Sequence, residues 1–100
     1  MGAQEFFTVA AGNTAREAFK KAVEDAQYLH GHGGYTGTIA EKTSFKLIRV
    51  PTRQDPFKYA ELLVDEGNFG KYDSAGCIHL GVRGDKEGLD QYLFFGWAAS

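Results

Sequence analysis

The residues of this chain best suited to chemistry crowd into one stretch, LHGHGGYTGTIAEK from Leu29 to Lys42, where four glycines, two histidines, a tyrosine and two threonines stand between a helical and a strand-like pattern. Glycines allow backbone N–H groups to converge on an anion, which raises the question of phosphate binding. Phosphate loops, however, run from a strand into a helix whose amino terminus faces the ligand. This stretch leaves a helix and enters a strand, and Gly34-Tyr35-Thr36-Gly37 fits neither the dinucleotide fingerprint nor the P-loop spacing. The same glycines also read as a helix exit with positive φ angles. The side chains carry the binding reading: His30, His32, Tyr35, Thr36, Thr38 and Lys42 form a candidate ligand-binding set on a segment that need not pack a core. Arg49 joins that set if the basic cluster Arg49, Arg53 and Lys58 reaches the loop, and a small anionic ligand such as a nucleotide or a cyclic signal would then suit it. Away from the loop, the cluster reads as a solvated rim.

Two chemical alternatives use the histidines. His30 or His32 with Glu41 could form the acid–base pair of a small hydrolase, but no activated serine or cysteine accompanies them, and no catalytic residue is assigned. His30-x-His32 together with His79 has two ligands spaced as zinc accepts them in extended chain, yet a third at short spacing is missing. Neither a metal nor a cofactor is assigned. Cys77, the single cysteine, lies in an apolar stretch and reads as a small buried hydrophobe.

The elements that must position these residues follow from periodicity. EFFTVAA, Glu5 to Ala11, is rich in β-formers and stops at Gly12-Asn13. Ala15, Ala18, Phe19, Ala22, Val23, Ala26 and Leu29 recur at helical spacing, with Thr14-x-x-Glu17 as a capping box and Gly31 as the exit. SFKLIRV, Ser44 to Val50, alternates as a strand that Pro51 ends, and Asp55-Pro56 opens a short helix that Gly67 closes. GCIHLGVRG places Ile78, Leu80 and Val82 on one strand face and Cys77, His79, Gly81 and Arg83 on the other. The turn GDKEGLD leads into a last strand, QYLFFGWAA, whose aromatic load implies burial on both faces or against a partner. The order β-α-β-α-β-β predicts an α+β two-layer sandwich, a mixed four-stranded sheet with two helices on one face and an antiparallel hairpin at the end. An uncovered face beside Tyr92, Phe94, Phe95 and Trp97 predicts a homodimer or a ligand surface.

A chain of 100 residues reads as one domain, residues 1–100. With 11 Lys+Arg against 13 Asp+Glu there is no basic field to draw it onto nucleic acid nonspecifically or onto acidic membranes. The amino terminus lacks the pattern of a leader, and no apolar run reaches the ~18 residues needed to span a bilayer, so the expectation is a soluble, cytoplasmic protein.

At HGHGGYTGTIAEK and again at the ending LFFGWAAS, the chain resembles small uncharacterised proteins of bacteriophage genomes and prophage regions, over about a fifth of its length. The resemblance supplies no activity and no residue roles. It implies a setting, that of a phage accessory protein in the cytoplasm of a host bacterium, where such proteins bind a host protein or a signalling molecule. The expectation is therefore a nonenzymatic protein that binds a host macromolecule or a small anionic ligand through the glycine-rich loop 30–42. The alternative is the hydrolase built on His30 or His32 with Glu41.

Overall fold

The computed structural model describes residues 2–30, 37–70, 73–82 and 90–99. Its elements, in chain order, are β1 (Ala3–Gly12), α1 (Ala15–His30), a 3₁₀ turn (Ile39–Glu41), β2 (Phe45–Leu47), α2 (Pro56–Asp65), β3 (Ala75–Val82) and β4 (Asp90–Ala99). The expected order of four strands and two helices is present, and the architecture is α+β around a mixed sheet.

Local chemistry explains the helix ends. At the start of α1, Thr14 Oγ1 accepts the backbone N–H of Glu17 at 3.1 Å, the first half of a capping box. The Glu17 carboxylate turns back to the N–H of Asn13 at 3.4 Å. Asp55 caps α2 by accepting from the N–H groups of Phe57 and Lys58 at 2.8 and 3.3 Å, with Pro56 at the first helical position, where no N–H is needed. At the other end, Gly67 takes φ +90 and its N–H bonds Val64 O, while Asn68 N–H bonds Leu63 O. These two bonds make the Schellman exit that only a residue at ease with positive φ completes cheaply.

The strand order is β1-β4-β3-β2. β4 runs antiparallel to both neighbours, and β2 lies parallel to β3 from Phe45↔Ala75 to Leu47↔Cys77. The last strand is thus one of the two inner strands of the sheet, and its aromatic load serves both faces. Phe94 packs toward α1 with Phe19 and Phe45, ring centroids 5.0–5.8 Å apart, together with Ala18, Ala22 and Cys77. Leu93 and Phe95 point the other way, against Ala60 and Val64 of α2 and Ile78 of β3. Full burial of a side chain such as Phe94 or Phe95 is worth about 1.5–3 kcal/mol, so alternate residues of β4 anchor two cores at once.

The two helices therefore lie on opposite faces, giving three layers instead of the two expected from sequence. The reason is topological. The chain crosses from β1 to the far edge at β2, then steps back one place to β3. Two crossovers of the same hand that step in opposite directions must lay their helices on opposite faces. Gly76 makes the second core possible: a Cβ there would sit 2.4 Å from Cζ of its cross-strand partner Phe95, whose ring lies over the bare backbone. β2 is shorter than the expected Ser44–Val50. Its ladder ends at Leu47, although Ile48 still donates to Cys77 O at 2.8 Å, as befits an edge strand with a single neighbour.

Candidate binding groove

On the far side of residues 31–36, which lie outside the described residues, Gly37 takes φ +70 and donates its N–H to Ala99 O at 2.8 Å, which fixes it beside the end of β4. Thr38 extends the chain and caps the 3₁₀ turn, its Oγ1 accepting from Ala40 N–H at 3.2 Å. Ile39 is buried against the α1 core. Alternating demands of this kind, an αL glycine, a capping threonine and an apolar plug, account for GTI in the sequence.

These residues help line an open groove of about 620 Å³ between α1 and β1. Phe6 and Ala22 line its apolar wall, Lys21 and Asp25 stand one helical turn apart on its rim, and Leu29 and Gly37 both belong to its lining. Both ends of the segment 31–36 thus border the same concavity. The alanine-rich stripe of α1 sets its depth, since small side chains let the helix lie close to the sheet.

The candidate residues fall in different places. His32, Tyr35 and Thr36 lie outside the described residues, as does the side chain of His30, whose backbone ends α1. Thr38 lines the groove. Glu41 is half-buried in the 3₁₀ turn. Lys42 is 4 % exposed and turns toward the interior, donating from Nζ to Gly70 O at 3.0 Å and Asp73 O at 2.7 Å. Burial draws its pKa below the ordinary 10.5, an effect that the negative charge of Asp73 partly opposes. Its ammonium pins the chain after the 3₁₀ turn to the stretch before β3. Arg49 is exposed beyond β2, at the sheet edge opposite β1, and lines a second, shallower groove with Ile48 and His79. The structure does not bring Arg49 together with Thr38 and Lys42.

That second groove adjoins a cluster that sequence reasoning missed. His79 Nε2 lies 3.4 Å from Asp90 Oδ2, and the Tyr92 hydroxyl donates to the same oxygen at 3.4 Å, the two rings 5.1 Å apart. Burial pushes the Tyr92 pKa above 10.0, and the charge and hydrogen bond of Asp90, then Cys77, add to it. His79 was visible as a strand residue, but its pairing with Tyr92 depends on the hairpin register, and a bulge between His79 and Gly81 breaks the simple count. Among the described residues no group of three or more His, Cys, Asp or Glu could hold a metal ion. Cys77 is buried, and desolvation pushes its thiol up to about 12, which leaves it inert.

The chain matches no family model, no curated protein and no solved structure. Among the described residues, no helix is long and apolar enough to cross a membrane.

Proposed function

We propose that the chain is a nonenzymatic binding protein, a phage-type accessory factor of the bacterial cytoplasm, that engages a host protein through the segment 30–42 and the end of the groove it borders. The observation that carries this reading is that Leu29 and Gly37, on either side of the segment, both line the same groove of about 620 Å³. Scaffold-mounted loops rich in groups that can recognise a ligand are the usual place for such sites. The described rim favours a protein over a small anion: Lys21 is balanced by Asp25, and Lys42 is committed to two backbone carbonyls.

A photo-crosslinking amino acid placed at Leu29, which is 74 % exposed, tests this in bacterial cells, with Leu47 on the opposite edge as the comparison position. The expected result is an adduct to one host protein from Leu29 and none from Leu47. Adducts from neither position, or equally from both, contradict the proposal. So does a small anion that copurifies stoichiometrically in native mass spectrometry, in place of a protein.

A further inference from the structure

We infer that the free edge of β1 is closed by a second copy of the same chain, β1 pairing antiparallel with the partner's β1 about a two-fold axis at Val9. The two four-stranded sheets then form one continuous sheet. No residue of the segment 30–42 takes part in this pairing, but β1 and the Lys21–Asp25 rim also wall the groove, so the pairing leaves to the function proposed above the part of the groove lined by Leu29 and Gly37.

The two edges of the sheet differ in how they are guarded. Edge strands are guarded against pairing by shortness, lysine, proline or bulges. β2 has such guards: three residues, an exposed Lys46, and Pro51 shortly beyond. β1 has none of them. It runs for ten residues, keeps an unbroken register with β4 from Ala3↔Ala99 to Gly12↔Asp90, and contains one charged residue, Glu5. Among the described residues its outer edge meets no strand. Two of its apolar side chains, Phe7 and Val9, are 41 % and 45 % exposed.

A two-fold axis at Val9 makes this strand complementary to itself in three respects. In size, Val9 faces the partner's Val9 and Phe7 faces the partner's Ala11, a large residue against a small one on the face that α2 leaves bare. On the other face, Thr8 meets the partner's Ala10, small enough for a helix above each strand. In charge, Glu5 falls beyond the paired stretch, because its opposite number would be residue 13, outside β1. The helices add the third respect. Gly12 lies against Ala18 of α1, which runs back over β1, so the stretch of helix level with Val9 is the one that carries Lys21 and Asp25. A two-fold axis turns this rim onto itself, Lys21 toward the partner's Asp25 and Asp25 toward the partner's Lys21. The reciprocity is that of an isologous interface.

Sedimentation equilibrium from micromolar to about 200 µM tests the inference on the whole chain. The expected species is a dimer. Val9→Lys sets two like charges face to face and should raise the dissociation constant at least tenfold with an unchanged circular dichroism spectrum. Lys21→Asp should weaken association and the exchanged pair Lys21→Asp with Asp25→Lys should restore it. Directly opposed residues bring Cα atoms within disulfide range, so Val9→Cys should link two chains under mild oxidation while Leu47→Cys does not. A compact monomer throughout the concentration range, a dimer indifferent to Val9→Lys, or equal linking at Leu47 overturns the inference. A monomer that still gives the host adduct at Leu29 overturns this inference alone, and a dimer that gives no host adduct at Leu29 overturns the proposed function alone.

Discussion

At the scale of single residues, burial decides what each polar or reactive group can do. Lys42 looks like a ligand-binding cation in the sequence but serves as an internal brace, because both carbonyls it bonds belong to residues some thirty positions away. Nothing local announces such a contact. Cys77 is the converse: its apolar neighbours made burial legible, and the structure adds a consequence for alkaline stability. Its thiol ionises at about 12 when folded against 9.0 ordinarily, so below pH 9 the full contribution is present, and it is lost as pH rises from 9 toward 12. In that window the unfolded chain sheds a proton that the folded chain keeps, at about 1.4 kcal/mol per pH unit when the difference is complete. Urea melts of the wild type and Cys77→Ala between pH 8 and 11 should therefore converge as pH rises, the wild type losing stability faster. Parallel curves would show that the thiol is not held in the desolvated site described.

Elements were legible where their causes are local. Both helices begin where capping chemistry indicated, and α2 ends on Gly67 as its position required. Asp55→Ala should cost about 0.5–2 kcal/mol, the usual loss for removing a side-chain cap, and should fray the first turn of α2 in amide exchange while leaving α1 protected. Loss of protection in both helices at once would mean that the cap does more than hold its own turn. What local pattern does not reveal is pairing. The strands β1, β3 and β4 were each expected, with ends off by a residue or two, but nothing in QYLFFGWAA says that it threads between β1 and β3. From that one insertion follow the opposite faces of the helices and the internal use of the aromatic residues. A surplus of aromatic residues suggested an interface at β4; the long unguarded strand beside it is the better basis for one.

For the whole molecule, the candidate site is divided between what sequence could show and what only the fold assembles. The recognition groups of 30–42 are a matter of composition. The groove is not, since its lining comes from residues 4–11, from α1 and from a turn held to the last strand through Gly37 and Ala99. In the function proposed above, the segment recognises a partner with its side chains, beyond serving as a connection. The most direct measurement compares Tyr35→Ala/Thr36→Ala with Gly37→Val, in one preparation, by yield of the Leu29 adduct and by chemical denaturation. Side chains that recognise a partner and pack no core contribute within about 0.5 kcal/mol to stability, so the first variant is expected to lose the adduct and keep its melting curve. Gly37→Val places a branched residue at φ +70 and should lower stability by more than about 1–2 kcal/mol. An adduct retained by Tyr35→Ala/Thr36→Ala, alongside unfolding of Gly37→Val, would contradict the account and leave the segment as a helix exit alone.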